Sequence, residues 1–427
     1  GIGSYAFDSC SALKNIDFIS NCQYIDDSAF SGCSSLTSVQ IPDGITEICE
    51  STFEDCSSLT TIILPDTVTT IGESAFSGCD SLTSINLPDG LTSIGSKSFY
   101  NCSKLETINI PDSVTEIGTN AFYGTAYLDK QLQDDGFWII NGTLMSANAN
   151  LSGEVTIPDT VTKINNSAFE DYSEITSITL PDSITEIGSS AFSGCSNLTS
   201  ITLPNTVTKI GYSAFSGCCN LTSITIPDGV TEIKPYTFSS CNKLTSVRLS
   251  SRLTTIDYFS FWYCSSLTSI DIPDNVTSIV GGAFAYCSKL TTVTIPDDIS
   301  YISGSAFYST PWLKNYIEAH SKTDDFVIFG KTLLHSGTQT SGDIVIPDGI
   351  TVIGEYAFSD CSGITSITLP DSVTNIESSP FNDIPLVIFD GTAGGYTYPN
   401  WGAKKIMKSD GTVLYDSATD YDSSNDD

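Results

Sequence analysis

Basic residues, histidine and long apolar runs are what this 427-residue sequence has least of. Its 17 Lys plus Arg stand against 50 Asp plus Glu, a formal charge of −33. Such a surface repels phosphate backbones and anionic membranes, which argues against nucleic acid as a partner. No apolar run reaches the roughly 18 residues of a spanning helix, so no membrane insertion is expected of this segment. Only two histidines occur, His320 and His335, and neither belongs to a metal-spaced motif. Phosphate-cradling glycine loops are missing, and Ser11-Ala12-Leu13-Lys14 matches Ser-x-x-Lys without its companion motifs. No cofactor is called for, and a non-enzymatic protein is expected.

What is present is a period. Phe7, Phe30, Phe53, Phe76, Phe99 and Phe122 fall 23 residues apart, as do Phe169, Phe192, Phe215, Phe238, Phe261, Phe284 and Phe307, and again Phe358 and Phe381. Self-similarity at this spacing is the mark of a solenoid, which grows by stacking. In the unit Leu59 to Cys79, Leu59, Ile62 and Leu64 read as a short strand that stacks in a parallel sheet. Pro65-Asp66 ends it, Val68 and Ile71 face inward on a second extended segment, and Ala75-Phe76 plug the core from a brief turn. About seventeen coils at a rise of about 4.8 Å predict a curved rod roughly 80 Å long.

Two recurrent columns invite chemistry. Eleven of the 14 cysteines lie three after the Phe, among them Cys10, Cys33, Cys56, Cys241 and Cys361. A ladder holds these side chains parallel, whereas a disulfide needs two Cβ atoms turned toward each other. The column also contains Thr125, Tyr172, Thr310 and Ile384, so it reads as buried free thiols acting as small hydrophobes. The residue after the proline is Asp at positions such as 43, 66, 228, 274, 297 and 348, but Asn205 and Ser251 break the series. The column therefore reads as a turn-capping acceptor, bonding the N–H two residues on, with a calcium row as the alternative.

The pattern Ile-Pro-Asp-x-Val-Thr-x-Ile-Gly-x-x-Ala-Phe-x-x-Cys-x-x-Leu-Thr-Ser-Ile resembles the BspA-like, or treponemal-type, leucine-rich repeats from Ile2 to about Phe389. The resemblance implies an α/β repeat solenoid, a right-handed leucine-rich-repeat superhelix of 23-residue coils with a parallel sheet. It also implies secreted or cell-surface proteins of bacteria and some protists, several linked to adhesion to host proteins or other microbes. Repeats are expected over 1–122, 158–307 and 347–384. Inserts with a β-hairpin are expected over 123–157 and 308–346, where Phe137 to Leu144 matches Phe326 to Leu333. A β cap with Tyr396, Tyr398, Trp401, Lys404, Lys405 and Lys408 is expected over 385–415, and an acidic tail or linker over 416–427. Because the chain opens on half a repeat, it reads as a piece of a longer protein whose targeting signal lies upstream.

The strand face should present small hydroxyl residues, poor in binding hot-spot material. One neighbourhood departs from it. Arg248 and Arg252, the two arginines of the chain, lie where Ser250 replaces the proline, with Asp271 one coil on and Tyr258 and Trp262 nearby in sequence. Arg, Tyr and Trp dominate hot spots, which makes these five the candidate ligand-binding residues. The plainer alternative is that Arg248 pairs with Asp271. The leading expectation is a monomeric, extracellular or cell-surface protein that binds a protein partner, such as a host extracellular-matrix or microbial surface protein. A passive structural spacer is the first alternative. The second is a carbohydrate-binding module, which would need aromatic platforms aligned on one exposed face.

Overall fold

The computed structural model describes residues 1–17, 22–296, 299–320, 326–336, 340–355, 357–359, 361–391 and 401–418, without the side chains of 134–135. Asp297, Tyr396, Tyr398 and the tail from 419 lie outside the described residues. The chain divides into two compact units, Gly1–Leu151 with Thr160–Phe169, and Ser152–Asp159 with Glu170–Asp427.

In both units the fold is a parallel-sheet solenoid of 23-residue coils. Three-residue strands such as Ser38–Gln40, Thr61–Ile63 and Ser84–Asn86 expose their outer residues and bury the middle one. Strand pairing keeps the sequence period: Ser38 faces Thr61 and Val39 faces Ile62, each 23 residues on. A turn follows, closed by the proline carbonyl, which accepts from the third residue on (Val68 N to Pro65 O, 3.1 Å; Val230 N to Pro227 O, 3.0 Å). A two-residue strand then forms a second parallel sheet, Glu47–Ile48, Thr70–Ile71, Ser93–Ile94 and Glu116–Ile117 in the first unit. The third side of each coil is a run of turns that carries the Phe.

The Phe rings fill the core by stacking on themselves. In the first unit Phe30 lies 5.5 Å from Phe53 and Phe53 5.7 Å from Phe76, nearly coplanar. In the second, Phe238, Phe261 and Phe284 follow at 5.2 and 5.1 Å. These distances match the spacing of neighbouring strands, so one aromatic per coil makes a continuous column.

The cysteine column does more than fill space. All 14 cysteines are free thiols, ten of them buried. Cys33, Cys56, Cys79 and Cys102 each donate to the carbonyl of the Phe 26 residues earlier, at 3.2, 3.3, 3.2 and 3.0 Å. Cys218, Cys241, Cys264 and Cys287 do the same in the second unit. The thiol is thus a stitch between coils as well as a small apolar group. In the Asp column the N–H two residues on donates to the Pro carbonyl at turns such as Val68, Val114, Val230 and Val276, where the Asp side chain is not needed to cap it. Asp228 instead accepts from Ser251 N, in the same column of the next coil, at 2.9 Å.

Each region between Phe runs contains a helix that sequence periodicity did not show. Helix α1 (Ala126–Asp135) starts at Thr125, and helix α2 (Pro311–His320) follows Thr310. Both threonines occupy the cysteine column. Thr125 donates to Phe122 O at 2.7 Å and accepts from Leu128 N at 3.1 Å, and Thr310 repeats this with Phe307 O and Leu313 N. A hydroxyl keeps a donor to a Phe carbonyl and adds the acceptor a helix N-terminus needs. Antiparallel pairs then form, Phe137–Ile140 with Thr143–Ala147 and Phe326–Phe329 with Thr332–Ser336. The first turns through Asn141 (φ 47°) and Gly142 (φ 75°), the left-handed pair that a two-residue hairpin requires. In the second unit the parallel strands Val387–Ile388 and Lys405–Met407 are followed by the antiparallel strand Val413–Asp416.

Candidate functional site

All five candidate residues lie in the second unit, on two sides of the coil. Arg248 ends the strand Ser246–Arg248 with its side chain exposed, and Asp271 ends Ser269–Asp271 likewise. Arg252 N donates to Ser250 Oγ at 3.2 Å, while Leu253 N donates to Ser250 O at 3.1 Å, so the serine that replaces proline keeps the turn's closing bond. Among the described residues no ion pair joins Arg248 to Asp271, and Asp271 Oδ1 accepts from Thr294 Oγ1 at 2.9 Å. The arginines face Asp228 instead, one coil back. The hydrogen bonds from Ser251 hold the Asp228 carboxyl below its usual range first, and the charges of Arg248 and Arg252 add to this. Among the described residues neither Asp228 nor Asp271 forms an ion pair with an arginine, and Asp271 ends the strand of the next coil on the same exposed face as Arg248.

Tyr258 and Trp262 lie on the turn side, away from the strand that carries Arg248. There they join a row of aromatic residues. Tyr236 stacks on Phe259 at 5.2 Å, and Trp262 meets Phe259 and Tyr263 edge-on at 6.0 and 4.4 Å. Tyr263 stacks on Tyr286 at 4.7 Å, and Tyr286 meets Tyr308 at 5.6 Å. Tyr236, Tyr258, Tyr263, Tyr286 and Tyr308 are each exposed.

The backbone under this row is unusual for such side chains. Among the described residues, two columns of nearly every turn run, two before and two after the Phe, hold a left-handed conformation. Elsewhere they are filled mostly by Ser, Gly, Asn or Asp, as at Ser51, Ser74, Gly78, Asn101, Ser190 and Gly194. In this stretch four of the six are aromatic, Tyr236 (φ 59°), Phe259 (φ 55°), Tyr263 (φ 58°) and Tyr286 (φ 60°), while Ser240 and Gly282 keep the usual small residue. A bulky residue there costs about 1–2 kcal/mol, a strain that concentrates at functional positions. Gly281-Gly282 makes room for it: a Cβ on Gly282 would fall within the Phe259 ring, and one on Gly281 would stand 3.3 Å from Tyr258. The signal was present in the sequence, but it shows only when those two columns are aligned and found to lack their usual small residues.

A third column explains a cavity beside the row. Four before the Phe, glycine lets coils close on one another: a Cβ on Gly95 would stand 2.6 Å from Glu73 N, and one on Gly72 2.8 Å from Glu50 N. In the second unit Gly188, Gly211 and Gly354 keep that glycine, while Lys234, Asp257, Val280, Ser303 and Glu377 replace it. A cavity of ≈ 570 Å³ opens where they do, walled by Tyr258, Phe259, Tyr301, Ser303, Glu355 and Glu377 among others. Glu377 is held by Tyr301 Oη at 3.1 Å, Gly304 N at 2.9 Å and Glu355 N at 3.0 Å. Burial pushes its carboxyl up against the pull of these donors. The same burial, followed by the charge of Glu377, pushes the Tyr301 phenol up. In the first unit a smaller cleft of ≈ 320 Å³ lies between α1 (Tyr127, Lys130, Gln131) and the strand face (Ser84, Asn86, Thr107, Asn109).

Among the described residues no group of three or more His, Cys, Asp or Glu is placed to hold a metal ion, and no helix is long and apolar enough to cross a membrane. The family model for the BspA type leucine-rich repeat region matches in six copies, over 1–129, 145–224, 208–326 and 334–393. The chain belongs to the BspA-type leucine-rich-repeat family. No curated protein matches this BspA-type chain. Among solved structures it is similar to a leucine-rich repeat protein from Eubacterium ventriosum, at 26% identity over 65% of this chain and 84% of that one, TM-score 0.45. One from Bacteroides ovatus is 26% identical over 87% and 82%, TM-score 0.40. A leucine rich cell surface protein from Faecalibacterium prausnitzii is 28% identical over 72% of each chain, TM-score 0.34. For a BspA-type repeat protein the general role implied is protein–protein interaction.

Proposed function

We propose that this BspA-type repeat protein is a secreted or cell-surface binding protein, without enzymatic activity, that adheres as a monomer to a protein on a host matrix or a microbial surface. The observation that supports this most is the exposed aromatic row, built on backbone positions that disfavour bulky residues. A passive spacer gains nothing from such strain, whereas a binding surface gains rigid aromatic anchors with little rotamer entropy to lose. Arg248 and Arg252 offer a second contact on the strand side, with Asp271 on the same face. The carbohydrate alternative fits less well. Sugars pack on ring faces, but Tyr263 and Tyr286, like Tyr236 and Phe259, spend a face on each other.

The test is adhesion of the purified chain to a panel of immobilised extracellular-matrix proteins and whole bacterial cells. Trp262→Ala should weaken the observed binding by at least about tenfold, the loss typical of a hot spot. Arg248→Ala should weaken it less and make it less sensitive to salt. Binding to no member of the panel, or binding that neither variant changes, would overturn the proposal.

A further inference from the structure

The cavity beside the aromatic row has a composition that selects its occupant. Three aromatic rings, Tyr258, Phe259 and Tyr301, and two carboxylates, Glu355 and Glu377, line it, and no Lys, Arg or His is among its lining residues. The donors on buried Glu377 are all neutral, Tyr301 Oη, Gly304 N and Glu355 N, and a cation brought to a partly desolvated carboxylate gains more there than in open water.

The repeat shows elsewhere what fills such a place. One coil pair earlier, Lys234 lies over the Tyr212 ring, 5.7 Å from its centroid, while its ammonium pairs with Glu232 at 2.7 Å. Tyr212 and Tyr258 occupy the same column, three before the Phe. Lys234 comes from the column four before the Phe of the following coil. After Tyr258 that column holds Val280, so the chain supplies no ammonium at the equivalent place. Gly281, also three before the Phe, puts no side chain into the space, and Ser303 and Ser305 provide hydroxyls at its rim.

We infer that the cavity between Tyr258 and Glu377 is a receptor for an arginine or lysine side chain presented by a basic segment of the protein partner. This rests on the reading of the protein as a binding protein and names the chemistry of what it binds. The aromatic walls take the cation by its charge and flat apolar surface, the carboxylates neutralise it, and the chain's net charge of −33 draws a basic segment in.

The test uses the full chain and an Arg-Gly repeat octapeptide, with a citrulline-Gly octapeptide as the uncharged isostere, titrated by calorimetry at physiological salt. The arginine peptide should bind and the citrulline peptide should not. Tyr258→Ser and Glu355→Gln should each weaken binding by about tenfold. The double variant Asp66→Asn/Asp89→Asn, which removes more charge at exposed turns of the first unit, should leave it unchanged. Equal loss in Glu355→Gln and the turn variant would show attraction by net charge alone and overturn the inference. So would equal binding of the citrulline peptide. Peptide binding at the cavity with no adhesion to any surface would instead overturn the adhesion proposal and leave the cavity's chemistry standing.

Discussion

At eight coils a cysteine thiol donates to the phenylalanine carbonyl 26 residues earlier, and the burial of such thiols has a consequence for pH. Burial pushes the thiols of Cys33 and Cys49 up to about 11 and those of Cys56 and Cys195 up to about 12. Unfolded, the same groups titrate near the ordinary thiol value of 9.0. Above that value the unfolded chain loses protons that the folded chain still holds, so stability falls as pH rises from about 9 toward 12. The melting temperature should be flat from pH 7 to pH 8.5 and drop steeply above pH 9.5. At pH 8 a thiol reagent should modify exposed Cys10 fast and the ten buried cysteines only on unfolding. Prompt reaction of the buried column would contradict this account.

Among elements, the sequence revealed those set by period and hid those set by one atom. The strands and their register follow from apolar spacing, and the hairpin at Asn141-Gly142 from its turn chemistry. The two helices do not show, since α1 lacks a clear apolar stripe and its start depends on the Oγ1 of Thr125. That threonine reads in sequence only as a break in the cysteine column. Arg248 and Asp271 are one coil apart in sequence, which suggested a pair. Asp271 instead accepts from Thr294 Oγ1, one coil further on, and no pattern in the chain encodes that choice. Thr125→Cys should separate the two jobs of the position. The thiol keeps the donor to the core, while loss of the N-cap costs about 1 kcal/mol. Amide exchange should then speed up in α1 and remain slow in the strand Thr107–Asn109. Unchanged protection of α1 would contradict the capping role.

On the scale of the whole molecule, nearly every regular column serves stacking: Phe and Cys in the core, Gly where coils close, Pro at the turn. What remains for recognition is where those columns change, and in the second unit several change together. Bulky aromatics enter the left-handed positions, glycine leaves the closing column from Lys234 to Ser303, and a cavity opens beside them. The account claims that these changes lower stability in exchange for binding. The direct measurement pairs thermal melting with adhesion for Phe259→Ser/Tyr263→Ser/Tyr286→Ser, which restores a small residue found in the same columns elsewhere. The variant should melt at the same temperature or higher and should bind its partner at least about tenfold more weakly. A variant that melts lower and binds as before would show that the aromatic row stabilises the coil rather than recognises a partner.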